Sequence, residues 1–348
     1  MRAARLACAW AVGYGGWQAW WALGHRPSFG RFGTDLTVGS AWAAVGMCMA
    51  VGVVVAGLGG AFTGRRAGAS AGAGALGAGA RSSAGAGALG AGAGARAGRG
   101  AGPGAGRGWE VAGWLVAVGV FANCPMLLLD VVGGLLPGLG IPFDAAGFAS
   151  RAACAAGGTL LARALVTHRR RRVGDCAACA RADDDTPSTG TPRWAWWAAY
   201  GAIASCLVRI GAQVAVGFGD IPFETGVSML LFEAGFLLAG SLLPLATVHS
   251  WGKVFPRWTP PLAGRRVPRW LVLGPALGLG GGLVVYFGVG LAQLAVESWN
   301  GTYDSDMFPQ WFMWAAMTGY LLWGLGMGAS ALAYLRATRP RCARCGRA

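Results

Sequence analysis

Four ionisable residues stand in stretches that are otherwise apolar: Asp130, Arg151, Arg209 and Glu233. Asp130 and Arg151 lie about ten residues before and after the turn around Ile141-Pro142-Phe143-Asp144. Arg209 and Glu233 flank Ile221-Pro222-Phe223-Glu224 at about twelve residues each. In two antiparallel helices, equal offsets from a turn mean equal depth. At about 1.5 Å per residue, Arg209 and Glu233 then sit roughly 10 Å inside the ends of their helices. A charge at such depth in a bilayer costs about 2.5–3.5 kcal/mol, so pairing is expected. Each pair has opposite signs, and the order of signs is reversed from one hairpin to the next. Two readings stand side by side. The four residues converge on one polar cavity open to the outside, with Gln18, Gln213 and Gln293 at comparable depths along its wall. Or they form two ion pairs that hold hairpins together.

Nine cysteines offer a second chemistry. Cys8, Cys48, Cys124, Cys154 and Cys206 lie in or beside apolar runs, where a thiol serves as a small packing group. The other four form two Cys-x-x-Cys pairs, Cys176 with Cys179 and Cys342 with Cys345, each just beyond an arginine-rich stretch. Four such thiolates can hold tetrahedral zinc, and nearby arginines favour the thiolate form. The separation between the pairs is far longer than in a zinc ribbon, so a shared site needs folding to join them. Redox chemistry and unligated thiols remain open. His25, His168 and His249 read as interface residues without a metal partner nearby in sequence. No phosphate-binding Gly-Lys-Ser/Thr loop, His-Glu-x-x-His or Gly-x-Ser-x-Gly is present, and the reading leans away from an enzyme. Asn123-Cys124-Pro125 predicts a kink, because proline removes a helical hydrogen bond. The Gly-x-x-x-Gly spacings, such as Gly278 to Gly282, fit close helix packing.

The elements that must position these residues follow from composition. The chain of 348 residues is 55% hydrophobic and only 12% charged, about half the charge of a soluble domain. The charges cluster and leave apolar runs long enough to cross a hydrocarbon core. The runs are near 6–23, 38–61, 111–136, 148–166, 195–216, 227–248, 271–296 and 312–335. Backbone polar groups have no water partners in lipid, so each run should be a helix. The basic start Met1-Arg2-Ala3-Ala4-Arg5 precedes a run rich in Trp without a clean cleavage site, which predicts an uncleaved first helix.

Lys and Arg favour alternate connections. One set holds Arg2 and Arg5, Arg65 to Arg107, Arg169 to Arg193, Lys253 to Arg269, and Arg339 to Arg347. The other set has only Arg26, Arg31 and Arg151, together with most of the acids. By the positive-inside bias, both termini are cytoplasmic and four short turns face outward. The net charge of +15 is thus a topology signal, and no recognition motif points to nucleic acid. The predicted fold is all-α and polytopic, with eight transmembrane helices as four hairpins in two four-helix halves. Residues 1–62 form the first hairpin, and 63–108 an Ala/Gly-rich cytoplasmic linker with no face to bury. The second hairpin is 109–172, followed by a linker at 173–193. The third is 194–252, a basic loop covers 253–269, the fourth hairpin is 270–337, and the tail is 338–348. The outer turns repeat an aromatic beside an acid near a helix start. The acid suits the helix dipole and the aromatic the interface, so they read first as good membrane turns. Copies of a two-helix unit keep their orientation, as in parallel-repeat membrane proteins.

The Trp/Gly-rich runs, the Ala-Gly linker and the terminal Cys342-Ala343-Arg344-Cys345-Gly346 resemble uncharacterised multi-pass integral membrane proteins of high-GC actinobacteria. The resemblance is carried by 14–35, 127–144 and 255–286 and covers most of the chain outside 63–108. It implies a plasma-membrane location and carries no catalytic residues. The expected function is to bind or pass a small solute or lipid through an outer-facing polar cavity. The competing expectation is a non-transporting scaffold or sensor whose cytoplasmic cysteines bind zinc. A lipid-acting membrane enzyme ranks third, with the acids of the outer turns as its only candidates.

Overall fold

The computed structural model describes residues 2–25, 42–58, 105–136, 139, 141, 143–173, 190–217, 227–304, 308–339 and 342. Among them every regular element is a helix, apart from one antiparallel bridge between Val254 and Arg266. The helices are α1 (Arg2–Ala22), α2 (Trp42–Leu58), α3 (Ala105–Ala122), α4 (Leu127–Leu135) and α5 (Ala145–Val173). They continue with α6 (Arg193–Val216), α7 (Val227–Val248), a short 3-10 turn (Ser250–Gly252), α8 (Arg269–Asn300) and α9 (Gln310–Ala337). Four stretches are long and apolar enough to cross a membrane: Gly108–Leu135, Arg193–Val216, Leu231–Val248 and Arg269–Asn300. Their outer faces carry large apolar side chains, such as Leu115, Leu207, Leu231 and Leu271, each about 60% exposed or more. Rows of this kind are unfavourable against water and natural against lipid. The chain is that of a helical membrane protein.

Two departures from the expected runs have local causes. The expected kink at Pro125 is a full break: α3 stops at Ala122 and α4 restarts at Leu127. Proline cannot donate to the carbonyl four residues back. The Cys124 amide and thiol both turn to the Phe121 carbonyl, at 3.0 and 3.2 Å. In the other departure, α5 runs on to Val173, well past its apolar part. Arginine is a good helix former, so the run Arg169-Arg170-Arg171-Arg172 extends the helix instead of ending it. α3 also begins at Ala105, inside the stretch assigned to the linker.

By contacts the chain falls into two compact units, whose boundaries include Val120/Phe121, Ala155/Ala156 and Gly174/Asp175. One boundary thus falls in the last turn of α3, just before the Pro125 break, one within α5, and one at the start of the 173–193 linker. In the first unit, Ala7 and Ala11 of α1, Val51, Val54, Val55 and Leu58 of α2, Ala117 and Val120 of α3, and Leu161 and Leu165 of α5 form one buried cluster. The second unit holds α4, the start of α5, and α6 to α9. Its centre is α9, which packs against α6, α7 and α8. Trp323 of α9 is fully buried among Cys206, Leu273, Leu283 and Met327. Small residues allow this proximity: a Cβ on Gly324 would lie 2.9 Å from the Gly280 carbonyl oxygen of α8. Such close approach is how helices associate where lipid supplies no hydrophobic drive.

Candidate functional site

Both sequence-predicted charge pairs form, and both lie in the second unit. The first is tight. Arg151 of α5 donates from Nη1 to both carboxylate oxygens of Asp130 at 2.6 Å. Their side chains are only 6% and 5% exposed. The break at Pro125 helps, because it places Asp130 in the first turn of α4. Free N–H groups and the positive end of the helix dipole favour a carboxylate there. Asp144 stands at the start of α5 as its outer-turn motif predicts. Its Oδ1 accepts from the Ala146 amide at 3.1 Å. Its Oδ2 is buried and has no hydrogen-bond partner among the described residues. A Cβ on Gly147 would lie 3.0 Å from that oxygen and 3.4 Å from Arg151 Nη1. Glycine at 147 thus leaves room for both the Asp144 carboxylate and the Arg151 guanidinium beside it.

The second pair is loose. Arg209 Nη1 of α6 stands 3.7 Å from Glu233 Oε1 of α7, with side chains 16% and 28% exposed. That distance is an ion pair but too long for a hydrogen bond. The Nε of Arg209 is buried and has no hydrogen-bond partner among the described residues. The guanidinium carbon lies 5.2 Å from the centre of the Tyr320 ring, a cation–π geometry. Tyr320 is held in turn by Phe287, stacked at 4.1 Å, and by Phe236 at 5.6 Å. Gly319 sets the spacing of α9 and α6, since a Cβ there would lie 3.1 Å from the Ser205 carbonyl oxygen and 3.3 Å from Arg209 Cβ. One turn from the pair, a cleft of about 160 Å³ opens between α6 and α7, lined by Ile203, Cys206, Leu207, Leu237, Gly240 and Ser241. Tyr320 and Gly319 are the residues sequence reasoning missed. Neither carries a charge, and only a knowledge of which helix packs on α6 would have singled them out.

The three glutamines part ways. Gln18 is buried in the first unit and donates to the Tyr14 hydroxyl at 2.6 Å. Gln213 donates to the Gly217 carbonyl at 2.9 Å and so caps the end of α6. Gln293 is exposed on α8. His25 stacks on Trp20 at 3.7 Å, and His249 lies 3.3 Å from the Tyr200 hydroxyl with its ring against Trp196. His168 lies on α5.

Outside the membrane-spanning helices, Tyr303 donates to the Phe308 carbonyl at 2.8 Å. Burial, with Asp304 and Glu297 nearby, holds its phenol above the ordinary range. Cys342 is partly exposed beyond α9, while Cys176, Cys179 and Cys345 lie outside the described residues. The same is true of the first outer turn, of Ile221-Pro222-Phe223-Glu224, of most of the Ala/Gly linker and of Asp183 to Asp185. Among the described residues no three His, Cys, Asp or Glu side chains gather to hold a metal.

Chemically, the tight pair is already satisfied, whereas the buried Arg209 Nε has no acceptor among the described residues. No protein-family model, curated protein or solved structure matches the chain.

Proposed function

We propose that this chain is an eight-helix membrane protein of four hairpins that binds or passes a small solute or lipid through an outer-facing polar cavity. Arg209 is the group that takes the ligand's acceptor. One observation carries this reading: a guanidinium inside a membrane-length helix, whose buried Nε has no partner among the described residues and whose acid is 3.7 Å away. An unsatisfied buried donor is costly, and an arriving carboxylate, phosphate or carbonyl would relieve that cost. The cleft one turn away suits an apolar tail. The eight crossings rest on the helices that overlie the eight apolar runs, and their orientation rests on the Lys/Arg bias. That bias places both termini in the cytoplasm, and the plasma membrane is the location proposed.

The test uses the full chain in lipid nanodiscs and its thermal unfolding with acetate, a bare carboxylate, or oleate, a carboxylate with a tail. A stabilisation of wild type that disappears in Arg209→Gln supports the reading. No response to either compound, or an equal response in the variant, overturns it.

The sealed Asp130–Arg151 pair favours the competing scaffold or sensor, in which charge pairs only join helices and zinc on Cys176, Cys179, Cys342 and Cys345 supplies the cytoplasmic site. Metal analysis of purified protein decides that part. Zinc near one equivalent, lost in Cys342→Ser/Cys345→Ser, supports it, and no zinc, or zinc retained in that variant, defeats it.

A further inference from the structure

α7 and α8 are two of the helices long and apolar enough to cross a membrane, so residues 249–268, which join them, sit at a membrane face. They form a folded hairpin. Val254 pairs with Arg266. The Phe255 amide donates to the Arg265 carbonyl at 2.9 Å, Gly264 to Phe255 at 3.0 Å and Val267 to Lys253 at 3.0 Å. Within the hairpin, the amides of Thr259, Leu262 and Arg265 close successive turns on Pro256, Thr259 and Leu262. Gly264 has a φ of 74°, which glycine adopts without steric cost. The root is clamped. The Tyr334 hydroxyl of α9 donates to the Gly252 carbonyl at 2.7 Å, and Lys253 Nζ reaches the Thr191 hydroxyl at 3.2 Å. A Cβ on Gly252 would collide with the Ala246 carbonyl. The hairpin is therefore a fixed platform whose backbone bonds are largely internal.

Its side chains carry one sign. No Asp or Glu occurs between Glu233 and Glu297, while Lys253, Arg257, Arg265, Arg266 and Arg269 fall within this short segment. Arg257, Arg265 and Arg266 are exposed, and among the described residues no carboxylate pairs with any of them. Between the cations stand apolar groups open to the surroundings: Trp258 at 79%, Trp270 at 60%, Val254 and Leu262. Arg269 lies over the Trp270 ring at 5.5 Å. Trp favours the headgroup level of a bilayer, and clustered Lys/Arg beside a membrane helix attract anionic lipid. A topology signal alone would need the positive charges. It would need neither a clamped hairpin nor two exposed indoles among them.

We propose that the 253–270 hairpin is a binding platform for anionic phospholipid headgroups of the leaflet it faces. The guanidinium groups meet lipid phosphates, and Trp258 seats among the headgroups. The experiment extracts the full chain from membranes and offers it equal phosphatidylglycerol and phosphatidylcholine, counting lipids retained by native mass spectrometry. Wild type should prefer phosphatidylglycerol by about tenfold, falling to about twofold in Arg257→Gln/Arg265→Gln/Arg266→Gln. The charge-preserving Arg257→Lys/Arg265→Lys/Arg266→Lys should keep most of the preference, which separates lost charge from a damaged fold. Inorganic phosphate should not displace the lipid. No preference in wild type, an undiminished preference in the glutamine variant, a lysine variant as weak as the glutamine one, or displacement by free phosphate would each overturn the proposal.

Discussion

Asp130–Arg151 and Arg209–Glu233 have the same chemistry and similar spacing about a turn, yet one is closed and the other open. In the first, a single guanidinium nitrogen serves both carboxylate oxygens at 2.6 Å, almost wholly buried. In the second, the charges stand 3.7 Å apart and remain partly exposed. The difference comes from the neighbours. Asp130 gains a helix N-terminus from the break at Pro125, and Gly147 clears the approach of Arg151. Arg209 instead has an aromatic face at 5.2 Å, and its Nε has no acceptor among the described residues. Ion pairs buried to this degree hold helices together, whereas a pair held apart leaves a cation able to take a third group.

The comparison breaks most easily at Arg151. Arg151→Met removes one partner and leaves the Asp130 carboxylate buried and unpaired, which costs about 3–5 kcal/mol. Unfolding of the detergent-solubilised protein, followed by circular dichroism, measures it. Replacing both partners, as Asp130→Leu/Arg151→Met, should recover most of that loss, because a buried pair and an apolar pair of similar size are often close in stability. A double variant as unstable as the single one would mean that the pair does not act as a closed unit.

Next in size is Gly147→Ala. The new methyl would sit 3.0 Å from Asp144 Oδ2 and 3.4 Å from Arg151 Nη1, so one of the charged groups must give way. Overpacking of this kind costs about 1–3 kcal/mol, read in the same unfolding assay. If the variant is as stable as wild type, the packing of Asp144 and Arg151 around position 147 is not tightly constrained.

How much of this was legible in the sequence depends on range. The apolar runs marked the helices well: the run at 227–248 coincides with α7, and that at 195–216 misses α6 by two residues at one end. The partner of each charge was legible too, because both members lie on adjacent arms and depth follows from counting to the turn. The quality of each pair was not. Tyr320 is more than a hundred residues from Arg209, and nothing in the periodicity of α9 says which face meets α6. The linker at 173–193 was legible as polar composition, and one unit boundary falls at Gly174/Asp175; the boundaries at Val120/Phe121 and Ala155/Ala156 lie inside helices and leave no mark in composition. Contacts follow packing: the Asp130–Arg151 pair joins α4 to the start of α5, and α4 packs on α8, with Leu128 against Gly282. The basic connection after α7 read only as a topology signal, since hydrogen bonds such as Phe255 to Arg265 leave no mark in hydropathy.

The smallest stability effect is expected at Glu233→Gln, and it sharpens the comparison most. The pair is partly exposed and lacks a hydrogen bond, so losing its charge should cost about 0.6 kcal/mol, an average polar contact between membrane helices. Gln is nearly isosteric, and the Tyr320 face still holds Arg209. The same change removes the acid that competes with an arriving anion for the guanidinium. Binding of a carboxylate probe such as oleate should therefore tighten while release slows, and transport of any solute that must leave should fall. Titration of oleate against wild type and Glu233→Gln in nanodiscs reads the first effect directly. A variant that unfolds as readily as Arg151→Met would make the second pair as structural as the first. Unchanged oleate affinity in a stable variant would show that Glu233 does not gate access to Arg209.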